Sequence, residues 1–157
     1  MSYMILPVPQ RSSGLSTDRP QDPSPGWEYF ETDTKRKIMW TGDEWIILSI
    51  IPDDAWINVS AFGTGWSNYS SDYGGARYRR YTNGRVEIQG LVKGATGFGS
   101  LVFVLPVGYR PNKRQVFGTV SDSAGASRLD VNSNGDVYFM QGGAGFVSLN
   151  VSFFGDQ

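Results

Sequence analysis

The sequence contains no cysteine and no histidine among its 157 residues. Their absence excludes disulfide frameworks, zinc fingers, haem and iron–sulfur ligation, and the catalytic arrangements that need a Ser/His/Asp or Cys/His set. Any bound metal would be a hard cation held by oxygen atoms. We therefore expect no cofactor and no metal, and the lack of cysteine fits synthesis in a reducing compartment.

Helix-forming residues are also scarce. Ala, Leu, Glu and Lys together number 23, against 20 Gly, whereas the chain has 5 Trp, 8 Tyr and 9 Phe. Glycine disfavours helices, and aromatic and β-branched residues favour strands. We expect a nearly all-β protein, of a length that suits one domain with at most a small appendage.

The chain lacks an excess of charge of either sign, with 14 basic and 15 acidic side chains. This balance provides no global attraction to nucleic acid or to an anionic membrane. No stretch approaches the roughly 20 apolar residues that span a bilayer. The apolar stretch near the start has no basic region before it and is interrupted by prolines, so we expect no signal peptide.

The first 25 residues contain five of the eight prolines. Proline fixes φ and lacks an N–H donor, so this segment can be neither a helix nor an interior strand. We interpret residues 1–25 as an extended N-terminal arm, either a disordered tail or an arm that becomes ordered on a neighbouring chain. Its candidate anchoring residues are Tyr3, Ile5, Leu6, Pro7 and Pro9.

Residues 26–51 predict a small β-meander. Three short runs rich in aromatic and β-branched residues alternate with turn residues, which is the pattern of three consecutive strands. The runs are Trp27–Thr32, Lys37–Trp40 and Glu44–Leu48.

Residues 52–157 predict a single antiparallel β-sandwich with a jelly-roll-like character, because turn signals recur every 8 to 12 residues. Asn83-Gly84 is a strong hairpin signal between two strand patterns. In the second of these, residues 85–93, apolar residues or glycine alternate with polar ones, with Leu91 as the one exception, and residues 146–154 alternate in the same way. The run Ser100–Leu105 is apolar on both faces, whereas an antiparallel sandwich normally leaves one face to water. We therefore expect a partner subunit to cover this strand.

Acidic residues could bind an ion or act as a pair of catalytic carboxylates. The stretch from Asp130 to Asp136 matches half of a calcium loop, but Gln141 stands where a glutamate is required and both flanks alternate as strands. The pattern favours an Asn134-Gly135 hairpin turn over a weak ion site. No pair of carboxylates has an apolar setting that would raise a pKa, so we expect no enzymatic activity.

One cluster combines arginines with aromatic residues and is the candidate contact surface. Such side chains stack on and hydrogen-bond to glycans or other anionic ligands, including single-stranded nucleic acid, but they also form cross-strand pairs on a solvent face or a subunit interface. Both interpretations stay open, with nucleic acid the least favoured. The candidate residues are Trp66, Tyr69, Tyr73, Tyr78, Arg77 and Arg79.

Two segments resemble virion proteins of tailed bacteriophages. Gly26–Thr34, followed by the Trp40-Thr41-Gly42 turn and Trp45, is similar to a short module of tail fibres. The segment from about Trp56 to Phe154 resembles their β-sandwich heads, most specifically in Leu105–Pro111, which reads Leu-Pro-Val-Gly-Tyr-Arg-Pro.

The resemblance implies a homotrimeric structural virion protein, attached to other virion proteins of the tail, baseplate or capsid and displaying a receptor-binding tip to a host-surface glycan or protein. Full-length tail fibres carry a long shaft, which is missing here. A compact trimer attached by its N-terminal arm fits the length better, either as a short tail fibre or as a capsid decoration protein. A free carbohydrate-binding module is a third, less favoured reading.

Overall fold

A computed structural model of the chain describes residues 11–49, 52–94, 99–123 and 125–155. These residues are all-β, with one short 3-10 turn at Ser16–Asp18 and no α-helix in the described ranges. None of their helical turns is long and apolar enough to cross a membrane. The chain divides into two compact units, Met1–Asp53 and Asp54–Gln157.

The first unit contains one four-stranded sheet. Strands β2, β3 and β4 pair antiparallel, as expected for a three-stranded meander, and β1 adds a parallel edge strand beside β2. The bounds of these strands are β1 Arg11–Gly14, β2 Glu28–Glu31, β3 Lys37–Trp40 and β4 Trp45–Ile47.

Strand β1 lies in the segment that the sequence analysis interpreted as an extended arm. An edge strand is compatible with the neighbouring prolines, because only one side of it needs hydrogen-bond donors. Side chains attach the segment to the sheet: Trp27 Nε1 donates to Ser12 Oγ at 2.9 Å, and the Tyr29 hydroxyl donates to the Leu15 carbonyl oxygen at 3.1 Å. The described part of the arm, from Arg11 onward, is therefore integrated in the first unit.

The interior of the first unit combines apolar packing with one buried carboxylate. Tyr29 and Ile38 are buried, and Tyr29 contacts the Trp45 ring at a centroid distance of 6.2 Å. Glu31 is fully buried and accepts hydrogen bonds from Arg19 and Thr34. Because a buried carboxylate is stable only when paired, Arg19 fixes the chain before β2 to the sheet.

The second unit contains eleven short strands. Their bounds are β5 Ile57–Asn58, β6 Ser67–Asn68, β7 Arg77–Arg80, β8 Arg85–Gln89, β9 Leu91–Lys93, β10 Ser100–Val104, β11 Gln115–Thr119, β12 Ser127–Val131, β13 Asp136–Gln141, β14 Val147–Ser148 and β15 Val151–Phe154.

These strands form a β-sandwich, which confirms the predicted fold class. One sheet has the order β10-β13-β12-β11. This is a Greek key, since β10 lies beside the last strand of the β11–β13 meander, and we call it the Greek-key sheet. The other strands form β15-β8-β7-β5 and, beyond a break, β14-β9-β6; we call them together the bent sheet.

A single apolar cluster joins the two sheets. Inward side chains of the bent sheet, such as Ile88 and Val92, and of the Greek-key sheet, such as Leu129 and Phe139, are buried in the same cluster. The predicted alternation holds in β8, where Val86 and Ile88 are fully buried and Arg85, Glu87 and Gln89, which alternate with them, are half-buried. The inner faces of the two sheets are therefore both apolar.

Gly90 produces the break in the bent sheet. Its φ is +129°, a conformation that side-chain-bearing residues rarely adopt, and a Cβ there would lie 2.5 Å from the Gly75 carbonyl oxygen. The Leu149 amide donates to the Gly90 carbonyl oxygen at 2.9 Å, so the partner strand breaks at the same level. Leu91, the one exception to the predicted alternation, directly follows this bend.

The strand β10 differs from the expectation that both its faces are covered. A β-bulge between Leu101 and Phe103 shifts the register, so that Val102 and Phe103 are both buried although they are neighbours in sequence. Val104 is 47% exposed. The bulge therefore explains part of the two-sided apolar pattern within one chain.

Candidate ligand-binding groove

An open groove of about 460 Å³ lies on the outer side of the bent sheet, at the break around Gly90. Its volume falls within the roughly 300–1,000 Å³ of typical small-molecule sites. Three of the predicted contact residues, Tyr69, Tyr73 and Arg77, line it together. The remaining lining residues are Gly74, Gly75, Gln89, Gly90, Leu91, Phe146, Ser148 and Asn150.

Three aromatic rings form one wall of the groove. Tyr69 meets Tyr73 edge-to-face at a centroid distance of 5.3 Å, and meets Phe146 in the same way at 6.0 Å. Edge-to-face pairs hold the rings at fixed angles. Tyr73 is nevertheless 55% exposed. The wall therefore offers a preformed aromatic surface to a ligand.

Backbone contacts form the floor. The Leu91 amide donates to the Gly74 carbonyl oxygen at 2.9 Å, and the Tyr69 amide donates to the Leu91 carbonyl oxygen at 2.9 Å. Asn68 Oδ1 accepts the Ala76 amide at 2.8 Å, which fixes the chain beside the glycines. At Gly74 a Cβ would meet open space, whereas at Gly75 and Gly90 the missing side chains let Asn68 and the Gly75–Ala76 backbone approach closely.

Arg77 supplies the positive charge of the groove. Its guanidinium lies over the Trp56 ring, 4.4 Å from the centroid, and its Nη2 donates to Gln89 Oε1 at 3.2 Å. Within the described chain no carboxylate forms an ion pair with Arg77. The ring and the amide hold the guanidinium in place, while its charge stays uncompensated by a carboxylate.

Arg79, two residues further along β7, is held by protein groups. It forms a 3.0 Å ion pair with Glu87, lies over the same Trp56 ring at 4.2 Å, and contacts the Tyr81 hydroxyl. Burial alone would raise the pKa of Glu87, but hydrogen bonds from Tyr81 and Arg79 outweigh it and the pKa is lowered. Arg79 does not line the groove, and its role in the fold is structural.

Two further predicted contact residues point elsewhere. Trp66 is only 6% exposed: it belongs to the sandwich core, meets Phe139 at 5.7 Å and donates through Nε1 to Ser100 Oγ at 3.2 Å. Tyr78 faces the interior side of β7, where it packs edge-to-face on Tyr109 at 5.0 Å. Burial raises the pKa of the Tyr78 hydroxyl. Neither residue therefore lines the groove: Trp66 is buried just before β6, and Tyr78 is half-buried on the inner face of β7.

The candidate anchoring residues of the arm lie outside the described residues. They are Tyr3, Ile5, Leu6, Pro7 and Pro9.

Sequence reasoning missed the other residues of the site, among them Phe146, Gln89 and Asn150, and it missed Trp56, which supports Arg77. Gln89 ends β8, and Asn150 lies between β14 and β15, at an outward position of the predicted strand pattern 146–154. The alternation could therefore have placed both on the same face as Arg77. Phe146 and Trp56 carried no such signal, since their positions depend on long-range strand pairing.

The calcium-like stretch forms the predicted hairpin turn. Gly135 has φ +95° between β12 and β13, and the Gly135 amide donates to the Asn132 carbonyl oxygen at 2.9 Å. Asn134 Nδ2 donates to Asp136 Oδ2 at 2.7 Å, which directs a donor rather than an acceptor toward that carboxylate. Asp130 is fully buried and accepts hydrogen bonds from Arg114 and Arg128. The carboxylates of this stretch therefore have partners within the chain.

The groove combines aromatic faces, amide side chains, peptide groups and one guanidinium. The lining hydroxyl groups belong to Ser148, Tyr69 and Tyr73, and the lining residues include no carboxylate. Across the described ranges, no three acidic side chains come together in a way that could hold a metal ion. The arrangement suits reversible binding of a polar ligand that has both apolar and hydrogen-bonding surfaces.

Comparison with known proteins returned no match, whether to a family model, a curated protein or a solved structure.

Proposed function

We propose that this protein is a structural virion protein of a bacteriophage, a short tail fibre or receptor-binding protein whose C-terminal sandwich binds a glycan of the host surface. The groove beside Gly90 is the single observation that carries the binding part of this proposal. Exposed aromatic rings, amide side chains and glycine backbone line this groove together. The virion part draws on the sequence resemblance to phage tail proteins.

A carbohydrate fits this combination of surfaces. The C–H faces of a sugar ring are apolar and pack on aromatic rings such as Tyr73, while its hydroxyl groups both donate and accept hydrogen bonds. Gln89 and Asn150 each carry an amide donor group and a carbonyl acceptor. Gln89 Oε1 already accepts from Arg77, Gln89 Nε2 donates to Glu87, and Asn150 Oδ1 accepts the Gly90 amide, which leaves at least one N–H or lone pair of each group for a sugar hydroxyl. Recognition of this kind needs no catalytic group, and we propose a binding role without enzymatic activity.

The proposal includes assembly as a homotrimer made in the host cytoplasm and built into the virion. The outer face of the Greek-key sheet supports a subunit contact. In one row across this face, the register places Leu101, Tyr138, Asp130 and Val116 side by side. Val116 is 56% exposed, and the apolar ends of the row would lose this exposure against another subunit.

The same face favours the alternative of a capsid decoration protein. There, the exposed Val104 and Val116 would contact capsid subunits, and the groove would bind no receptor. Electron microscopy of the particle separates the two, since a tail location supports the leading proposal and a capsid location supports the alternative. A free carbohydrate-binding module would be absent from the particle.

Cell binding tests the receptor proposal. Purified protein should bind intact cells of a phage-sensitive strain and compete with phage adsorption. Tyr69→Ala should abolish binding, because this ring contacts both other rings of the wall. Phe154→Ala removes an equally aromatic side chain that is 65% exposed outside the groove, and should leave binding unchanged. Equal binding by both variants, or none by the native protein, would contradict the proposal.

Attachment through the arm requires a deletion that spares the sheet. Because β1 starts at Arg11, removal of residues 1–25 would remove a strand, whereas removal of residues 1–10 leaves the described sheet intact. We expect the shorter deletion to abolish incorporation into particles without changing thermal unfolding. Normal incorporation would show that the anchor lies elsewhere.

A further inference from the structure

The arginines on the outer face of the bent sheet differ in how their charge is balanced. Strand alternation places Arg77, Arg79, Arg85, Glu87 and Gln89 on this face, so that three guanidiniums stand against one carboxylate. Glu87 is engaged by Arg79 and Tyr81. The local excess of positive charge is notable in a chain whose net charge is −1.

Part of the excess charge is located at the groove. Arg77 lines the groove, and no described carboxylate pairs with Arg77 or lines the groove. Asp72, in the turn between the two tyrosines of the wall, is exposed and is not a lining residue. An anion in the groove would therefore meet a guanidinium without first displacing a carboxylate.

The Arg77 guanidinium is also held in place before a ligand arrives. Trp56 stacks on it at 4.4 Å and Gln89 accepts one of its hydrogen bonds, which restricts its rotamers. A guanidinium carries five N–H donors, and two of them can bind both oxygens of a carboxylate or phosphate. Preorganisation of this kind lowers the entropy lost on binding.

A second depression of about 160 Å³ adjoins the groove between β8 and β15, and the two share Gln89 and Asn150. Glu87, the ion-pair partner of Arg79, also lines this depression. A ligand longer than one sugar ring can therefore extend from the groove past Gln89 and Asn150 toward Ser152, with its anionic group at Arg77 and an uncharged part beside Glu87.

We infer that the groove selects an acidic oligosaccharide, in which a sugar ring packs on Tyr69 and Tyr73 and the carboxylate or phosphate substituent of the same or the next ring binds Arg77. This inference rests on the proposed glycan-binding function and names the class of glycan. Neutral glycans would fill the aromatic wall but leave the guanidinium without its anion.

The test is an array of acidic and neutral bacterial surface polysaccharides, probed with the full-length protein. We expect retention of acidic members only, weakened by added salt because the contact is ionic. Chemical reduction of carboxyl groups or enzymatic removal of phosphate should abolish binding, and the treatment that does so identifies the anion.

Arg77→Gln should weaken binding to an acidic glycan at least tenfold. Arg114→Gln is the control for net charge, because it removes one positive charge outside the groove, next to β11, while Arg128 stays paired with Asp130, and it should leave affinity unchanged. Arg77→Lys keeps the charge but loses the two-pronged geometry, and should give an intermediate loss. It also keeps the test decisive if Arg77→Gln unfolds.

The outcomes separate the two proposals. Neutral glycans bound as well as acidic ones, with no effect of either Arg77 substitution, would overturn the acidic selectivity and leave glycan binding standing. Equal losses for Arg77→Gln and Arg114→Gln would also overturn it, since net charge alone would then explain the attraction. Failure to retain any glycan would overturn the proposed function itself.

Discussion

The two outer faces of the sandwich both carry arginines, but they use them in opposite ways. On the Greek-key sheet, Arg114 and Arg128 are bound to the same buried carboxylate, Asp130. On the bent sheet, Arg77 lies on an indole ring beside an open groove, without a carboxylate partner among the described residues.

This difference shows why arginine-rich sequence is a weak guide to binding surfaces. An arginine paired with a buried carboxylate stabilises the fold, and its charge is compensated there. An arginine held by stacking on an indole ring keeps a charge that no carboxylate compensates. The partner of the guanidinium, rather than its presence, distinguishes a structural face from a candidate site.

The largest expected effect concerns the bend that opens the groove. Gly90→Ala should lower the free energy of unfolding by at least about 2 kcal/mol, because the new Cβ would meet the Gly75 backbone and because φ +129° strains any other residue. Urea denaturation measures this. Gly118→Ala, in β11 of the Greek-key sheet, is the control: a Cβ there meets nothing within 4 Å, so we expect a change within about 0.5 kcal/mol. Equal losses would contradict the role given to Gly90.

The next effect concerns the carboxylate of the structural face. Asp130→Asn should lower the free energy of unfolding by about 2 kcal/mol, because the guanidiniums of Arg114 and Arg128 lose their buried, charged acceptor on β12. Glycan binding should not change. Glu87→Gln breaks the more exposed ion pair of the bent sheet and should cost less than about 1 kcal/mol. A larger loss for Glu87→Gln would reverse the comparison.

Acid pH should weaken the structural face selectively. Burial alone would raise the pKa of Asp130, but hydrogen bonds from Arg128 and Arg114 outweigh it and hold the pKa below its ordinary value. Asp130 therefore contributes stability that is complete above its unfolded pKa of about 3.9 and is lost as pH falls through the lower, folded value. Thermal unfolding from pH 6 to pH 2 should show a steep loss in the native protein and a shallower one in Asp130→Asn. Parallel curves would show that the ion pairs of Asp130 with Arg114 and Arg128 contribute nothing to acid sensitivity.

The smallest effect on stability concerns the aromatic wall. Tyr73→Ala removes a side chain that is 55% exposed, so the free energy of unfolding should change by about 0.5 kcal/mol or less. Its affinity for a glycan should nevertheless fall about tenfold, equivalent to about 1.4 kcal/mol of lost stacking. Calorimetric titration measures the affinity, and urea denaturation measures the free energy of unfolding, of the native protein and of the variant. A stability loss without an affinity loss would assign Tyr73 to the fold.

The alternation of side chains made most of the sandwich predictable. The buried Val86 and Ile88, and the turn at Asn134-Gly135, follow from local sequence alone. Strand β1 was not predictable, because its parallel pairing with β2 depends on contacts far apart in sequence. The bulge in β10 was missed for a similar reason, since only the register against β13 reveals it.

The candidate site was predictable only in part. Tyr69, Tyr73 and Arg77 were placed on one surface from their polar, glycine-rich surroundings, and the structure brings these three together. Trp66 occurs in the same kind of sequence but lies in the core, because the chain turns inward at Gly63–Gly65 before β6. Local composition cannot distinguish a buried aromatic residue such as Trp66 from an exposed one such as Tyr73. Packing against the Greek-key sheet, where Trp66 meets Phe139, decides between them.

The most direct test of the account is a map of backbone amide chemical shifts in the protein during titration with an acidic glycan that binds on the array. We predict changes concentrated around the groove, at Tyr69, Tyr73, Arg77, Gly90 and Asn150, with the amides of β11 and β12 unchanged. Changes centred on Arg114, Asp130 and Arg128 instead would place the ligand on the face that we assign to structure, and would contradict the central claim.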